Sequence, residues 1–422
     1  GLAPALQASG STVSANNRNT ASARRRLGMN ALVAGEVALA LALLVVGGLS
    51  ALDVRRLGQA DPGFEAEGLV SYQMALPSQR YEDGPARLGF TEQYLESVRR
   101  IPGIESAAVT SGLPFSGHWG WFYIVDGAPP RAEDEANPVV LNRVVSAGYF
   151  ETVGIEFTAG RAFDVTDGRE GQTPVIIVNE TFVRTFLSHL DDPIGARLVP
   201  GTDMPEDQPD WMTVVGVTRD VKHYGVDEEM RPGVYQPLPQ FPLGGYQVAL
   251  RTRGDLTPIM SEVRTATAAL DVELPVYSVE TMSERLNESL YTRRATSLLI
   301  GIFSAVALLM AIAGIYGVIS YSVGQRSHEI SIRMAMGAQA TRVLKDVVAQ
   351  GMVLVVLGAA AGLALSLAGA RVVAGILVGV SAKDPTVYAA VTGLVLIVAM
   401  AANYLPARRA ARLDPMRALR GE

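Results

Sequence analysis

Residues 295–325 read ATSLLIGIFSAVALLMAIAGIYGVISYSVGQ, a run of 31 positions without one Asp, Glu, Lys or Arg. A helix needs about 20 such residues to cross the hydrocarbon of a bilayer. Three more windows share this character: Leu27 to Leu52, interrupted only by Glu36, Val347 to Ala370, and Pro385 to Ala407. The 422-residue chain is 49% hydrophobic and only 18% charged, where a soluble protein carries about a quarter charged residues. Because the deficit sits in these four windows, a purely soluble protein is excluded.

Between the first and second windows the grammar changes. About 240 residues of short alternating runs are punctuated by Pro, Gly and Asp, enough for a full domain. Strands are expected at Leu69 to Ala75, Ile104 to Thr110, Val139 to Val145, Pro174 to Val178, Met212 to Arg219 and Tyr246 to Thr252, each rich in β-branched or aromatic residues and bounded by turn formers. Helices are expected at Pro85 to Arg100, where Phe90, Tyr94, Val98 and Ile101 make one stripe, and at Leu256 to Leu270. The order follows no strict βαβ rhythm, which points to an α+β domain in two lobes. Near its end Met282, Leu286 and Leu290 recur every four residues, with no Gly or Pro until Gly301. An unbroken helix from about Glu280 into the second span would make a rod of roughly 60 Å.

Charge orients the chain. Asp53 to Arg294 holds 21 Lys and Arg against 36 Asp and Glu, and the remainder 15 against 6, so an acidic block is set against a basic remainder. Basic residues favour the cytoplasmic side. Arg24, Arg25 and Arg26 precede span one; Arg326, Arg333, Arg342 and Lys345 occupy the 323–346 loop; Arg408, Arg409, Arg412, Arg417 and Arg420 fill the tail. The termini and that loop are therefore assigned to the cytoplasm and the acidic domain to the outside. Arg55, Arg56, Arg293 and Arg294 lie at the outer ends of spans and run against this rule. Residues 1–26 are polar and read as a cytoplasmic linker, and the apolar run after them is too long for a signal peptide.

Catalytic patterns fail in turn. None of the three lysines, Lys222, Lys345 and Lys383, stands in a GxxxxGK[ST] loop, and none follows Ser by three positions. His328-Glu329 has Ile332 where a zinc-binding HExxH needs His. With no cysteine there is no disulfide framework. No metal site or nucleic-acid partner is expected.

The cytoplasmic loop YSVGQRSHEISIRMAMGAQATRVLKDVVAQG, Tyr321 to Gly351, carries the most pattern. Glu329 and Arg333 pair at i,i+4 in the favourable order, Ile330 with Met334 and Ile332 with Met336 form apolar pairs, and Gly337-Ala338 breaks the element. Two readings compete: an amphipathic connector resting on the membrane, or a docking element, since Met-bearing ridges suit adaptable interfaces.

This loop, with GIYGVISYSV before it and YLPARRAARLDPMRALRGE at the end, resembles the permease of macrolide-exporter (MacB) or FtsX-type ABC transporters. The stretches SAGYFETVGIEFTAGRAFDVTDG, VIIVNETFVRTF, DPIGARL and WMTVVGVTRDV are similar to that family's periplasmic core domain. The resemblance implies an integral membrane fold: four transmembrane α-helices with a large extracytoplasmic α+β domain inserted between helices 1 and 2. It divides the chain into a linker (1–26), helix 1 (27–52), a periplasmic core domain (53–290) and a permease domain (291–422) with helices at about 295–322, 347–370 and 385–406. It also implies that this chain binds no cofactor, and that ATP with Mg is held and hydrolysed by a partner, a cytoplasmic ABC ATPase dimer. A second permease copy or half, a periplasmic adaptor and membrane lipid complete the implied partners. The loop's own pattern of apolar and charged residues makes Arg326, Glu329, Ile330, Arg333, Met334 and Gly337 the expected contact with that ATPase. An FtsX-like signalling scaffold that switches an extracytoplasmic hydrolase is the competing function, and a receptor without an ATPase is a third. Three positions depart from the family pattern: Ser331 for Gly, Met336 for Leu, and Gln339 for a helix-capping Ser. The N-terminal GLAPALQA echoes the tail's YLPARRA, as though residue 1 followed an earlier copy of the unit in a tandem-duplicated permease.

Within the spans, Gly351, Gly358, Gly362 and Gly369 share one helix face, which suits close helix approach. Glu36 lies roughly 10–15 Å beyond Arg26 by helical rise and is expected to hold a helix interface, with no second buried charge to relay a proton. The external run His118-Trp119-Gly120-Trp121-Phe122-Tyr123 reads as a hairpin or core element before a cargo contact.

Overall fold

The four apolar windows form helices in the computed structural model, which describes residues 17–117, 119–128, 137–202, 210–336, 339–375 and 377–410. In the membrane unit, residues 1–56 and 293–422, α1 spans Asn17–Leu57. It therefore starts ten residues before the expected span: residues 17–26, read as linker, continue the helix, and residues 1–16 lie outside the described set. Val33, Val37, Ala40, Leu41, Val45 and Leu49 of α1 recur every three or four residues and are buried in the unit's core, while Leu32, Leu39 and Leu43 face outward. Helical periodicity thus divides one apolar sequence into a packed stripe and a lipid stripe.

The extracytoplasmic unit covers residues 57–292. Its helices are α2 (Gly84–Arg99), α3 (Tyr149–Val153), α4 (Glu180–Phe186), α5 (Leu256–Leu270) and α6 (Met282–Ser289). The strands are β1 (Leu69–Ala75), β2 (Ile104–Thr110), β3 (Trp119–Trp121), β4 (Tyr123–Val125), β5 (Val140–Val145), β6 (Phe157–Gly160), β7 (Val175–Asn179), β8 (Arg197–Pro200), β9 (Met212–Thr218), β10 (Gly233–Pro237), β11 (Gly245–Thr252) and β12 (Tyr277–Thr281). They form one sheet in the order β12-β1-β11-β2-β5-β10-β7-β9-β8-β4, with β3 added on β5 and β6 on β9. The two expected lobes share this sheet. On one side α2 and α5 cover β1, β11 and β2 through Tyr94, Val98 and Val263; on the other Phe182 and Phe186 of α4 pack on β7 and β9. Between them β2 and β5 meet at a single pair, Thr110 with Val145.

Local chemistry sets these boundaries. Asp83 caps α2 by accepting from the Ala86 N–H at 2.9 Å, with Pro85 in the first turn. Gly160 ends β6 at φ +71°, where a Cβ would strike the Val215 carbonyl, so only glycine fits.

The expected unbroken rod is corrected. Glu280 belongs to β12, a Thr281–Glu284 capping box opens α6, and α6 closes at Leu290, whose N–H turns back to Asn287. A separate helix, α7, then spans Tyr291–Gln325. Met282 and Leu286 lie on α6 and Leu290 is its C-cap, so the four-residue spacing reports the face of α6 alone and does not tell whether the helix runs on past it. The membrane unit is completed by α8 (Ser327–Ala335), α9 (Ala340–Ala374) and α10 (Pro385–Ala410).

Candidate functional site

At the cytoplasmic end of α7 the chain turns at Arg326 and re-enters a helix at once: the Ile330 N–H donates to the Arg326 carbonyl at 2.9 Å, closing the first turn of α8. Two residues fasten α8 inward. Ile330 is buried, and Ser331 is fully buried with its hydroxyl donating to the Ser327 carbonyl at 2.8 Å. The family-atypical Ser331 thus satisfies its own polar group within the helix. Arg326 Nη1 donates to Gln350 Oε1 at 3.2 Å and ties the start of α8 to α9. Beneath lies a groove of about 390 Å³, lined by Val323, Ile330, Val343 and Val347 with Glu329 and Arg333 at its edge.

Outward, the surface is mixed. Arg333 Nη2 meets Glu329 Oε1 at 2.5 Å, with both side chains more than half exposed, so the pair contributes only about 0.3–0.5 kcal/mol. Ile332 is 40% and Met336 78% exposed. The expected face is thereby redrawn. Glu329 and Arg333 are at the surface, Met334 is half-buried, Ile330 points inward, and Ile332 with Met336 supplies the exposed apolar patch. The cause is a helix phase of 100° per residue, which places Ile330 and Ile332 on opposite sides. Gly337 lies outside the described residues. Gln339 stands at the N-cap of α9 and makes no side-chain cap bond there.

The glycine face divides by neighbour. A Cβ on Gly358 would lie 2.7 Å from the Ala34 carbonyl oxygen and 2.8 Å from Val37 Cβ, and one on Gly362 2.6 Å from the Ala38 carbonyl oxygen, so both glycines seat α9 against α1. Gly351 instead abuts Asn403 of α10, and Gly369 has nothing within 4 Å of its Cβ position. One stripe on α9 does not meet one neighbour, because crossing helices part along their length. Glu36 abuts Gly314 of α7, and its Oε2 is buried without a hydrogen-bond partner among the described residues. Asn403, fully buried, offers Nδ2 to Met352 Sδ at 3.7 Å; the sequence reading passed over this polar residue.

A further polar cluster, outside the expected site residues, closes the outer end of the unit. Asp53, 3% exposed, accepts from the backbone N–H groups of Val378 at 3.2 Å and Gly379 at 2.7 Å, and from Arg293 Nη1 at 3.3 Å. Arg56 donates to the Gly379 carbonyl at 3.2 Å and to Asp384 Oδ2 at 3.4 Å. Asp384 caps α10 through the Thr386 N–H, which with Arg56 holds its carboxyl below the usual range. Two of the arginines that run against the charge rule, Arg56 and Arg293, are thus paired with carboxylates. The signal was present as complementary charges at the ends of different spans. In the external unit, His118 lies outside the described residues, and Trp119 packs against Trp121 and Phe241 at ring separations of 6.0 and 6.1 Å.

A family profile described as MacB-like periplasmic core domain matches residues 29–273, and one described as FtsX-like permease C-terminal matches 301–415. Among curated relatives, the macrolide export ATP-binding/permease protein MacB of Nitrosomonas europaea is 29% identical over 283 residues, covering 62% of this chain and 40% of that protein. The pyoverdine export ATP-binding/permease protein PvdT of Pseudomonas fluorescens is 34% identical over 134 residues, 31% of this chain and 20% of its own. The match to the first of these spans less than half of the relative's length. The periplasmic region of MacB from Actinobacillus actinomycetemcomitans aligns with 52% of this chain and 91% of its own length, at 10% identity and a TM-score of 0.34.

Proposed function

From the premise that this chain belongs to the MacB-like family of ABC-transporter permeases, as a multi-pass inner-membrane protein with an extracytoplasmic core domain, we propose that it passes ATP-driven motion from a cytoplasmic ATPase to the external domain for export of cargo. The supporting observation is α8: a short helix seated by the buried Ile330 and Ser331 and tied to α9 by the Arg326–Gln350 bond, presenting Ile332, Met336 and the Glu329–Arg333 pair outward. A rigidly held helix with an exposed apolar and charged face transmits displacement, where a mobile loop absorbs it. The ATP site lies outside these 422 residues, which contain no phosphate-cradling lysine loop. ATP with Mg is bound by the ATPase, two copies of which pair with two permease units. The size of the external domain favours export over the signalling role, and the names of the relatives agree with export.

Reconstituted complexes test this reading. Arg333→Glu sets like charges at i,i+4 and reverses the local surface charge; together with Met336→Glu it should abolish stimulation of ATP hydrolysis by cargo while leaving membrane insertion intact. Stimulation and transport equal to wild type would remove α8 from the coupling path.

A further inference from the structure

A second cavity, of about 340 Å³, lies between α1, α7 and α9 on the far side of the Arg326–Gln350 contact. Its chemistry changes along the membrane normal. Asn30, Tyr321, Gln325, Arg326 and Gln350, with Met29 beside them on α1, form one end, at the cytoplasmic boundary where the charge-free run of α7 stops. On α7, Val318 and Ile319 lie seven or eight residues deeper than Arg326, roughly 10–12 Å. On α9, which runs the opposite way, Val353 and Leu354 are deeper than Gln350 by three or four residues. Two antiparallel helices therefore present the same gradient, polar toward the cytoplasm and apolar toward the hydrocarbon. Arg326 is the one charged side chain among the described lining residues, and no carboxylate lines the cavity.

We infer that this cavity seats an anionic phospholipid of the inner leaflet, its phosphate on Arg326 and its first acyl carbons between Val318, Ile319, Val353 and Leu354. A soluble anion would use only the polar end, and a neutral amphiphile would forgo the charge-assisted bond that Arg326 can add to its contact with Gln350. Basic recesses between spans on the cytoplasmic side select anionic headgroups for this reason, and a guanidinium forms charge-assisted bonds to phosphate oxygens. Since Arg326 also opens α8, the lipid would share this side chain with the Gln350 contact that holds the helix.

The full chain, purified in detergent, is titrated with equal amounts of dioleoylphosphatidylglycerol and dioleoylphosphatidylcholine and examined by native mass spectrometry. Wild type should retain one phosphatidylglycerol at energies that strip phosphatidylcholine. Arg326→Gln should lose this preference by about tenfold or more, whereas Arg342→Gln, the same charge loss on an exposed part of α9, should keep it. Val353→Trp, which fills the apolar end and spares Arg326, should lower retention of both lipids. Millimolar inorganic phosphate should not displace the bound lipid. Equal retention of the two lipids by wild type, an unchanged preference in Arg326→Gln, an equal loss in Arg342→Gln, or displacement by inorganic phosphate would each overturn the assignment.

Discussion

Gly358→Ala isolates the contact that joins α9 to α1. The added methyl carbon would stand 2.7 Å from the Ala34 carbonyl oxygen and 2.8 Å from Val37 Cβ. Carbon contacts relax to about 3.5–4.0 Å, so the helices must separate by roughly 0.8 Å. Both opposing groups belong to the facing helix close to its axis, and neither is the free end of a side chain that could swing aside. Overpacking of this kind costs about 1–3 kcal/mol. Gly369→Ala on the same helix is the control, because its methyl enters open space and alanine favours the helix by about 1 kcal/mol. All three tryptophans, Trp119, Trp121 and Trp211, lie in the external unit, so intrinsic fluorescence does not report on the spans. The chain has no cysteine, so a single Ala359→Cys, at a buried position of the same interface, reports through its labelling by a thiol dye during heating. Gly358→Ala should lower the labelling midpoint by several degrees, and Gly369→Ala should leave it in place or raise it. Equal midpoints for the two variants would refute the packing argument.

Asp53→Ala strips the Val378 and Gly379 N–H groups and Arg293 of one buried acceptor and should cost about 2–3 kcal/mol, discounted from a fully buried pair because Arg293 is a quarter exposed; the same thermal labelling assay reads it, and a loss under about 0.5 kcal/mol would contradict a stabilising role for the Asp53 cluster. In the external unit, the hydrogen bond from Arg80, reinforced by the Glu273 N–H, holds the Asp271 carboxyl below the usual range. Its contribution is therefore present above about pH 4, the unfolded value, and is lost as pH falls through the lower folded value. The melting difference between wild type and Asp271→Asn, followed by tryptophan fluorescence, should be full at pH 7 and shrink in acid; a difference that grows toward pH 3 would reverse the sign.

Much of this structure was legible because its signals are local. The strands Leu69–Ala75 and Ile104–Thr110 and the helix Leu256–Leu270 fall where alternation and helical spacing put them, and the four spans follow from hydropathy. β3 falls within the run His118–Tyr123 read as a hairpin or core element, but β4, β6, β8, β10 and β12 match none of the expected strands. At three to five residues they are too short for a period to show, and their pairing energy comes from partners far along the chain. The sites divided in the same way. Spacing predicted the Glu329–Arg333 pair, but it could not say that Ile330 faces α9 and Ile332 the cytoplasm. Asp53 was hidden for the opposite reason: its partners, Arg293 and Gly379, lie 240 and 326 positions away.

The measurement that bears most directly on α8 as the ATPase contact is site-specific cross-linking in the assembled complex. Single cysteines replace Met336, Ile332 and Ile330 in this cysteine-free chain, and a short bifunctional reagent is added with and without ATP. Met336 and Ile332 should cross-link to the ATPase in yields that change with nucleotide, while the inward-facing Ile330 should not. Cross-links that form from none of these positions but form from a fourth single cysteine at Arg408, or that form equally from all three positions of α8, would contradict the claim that this exposed face carries the coupling.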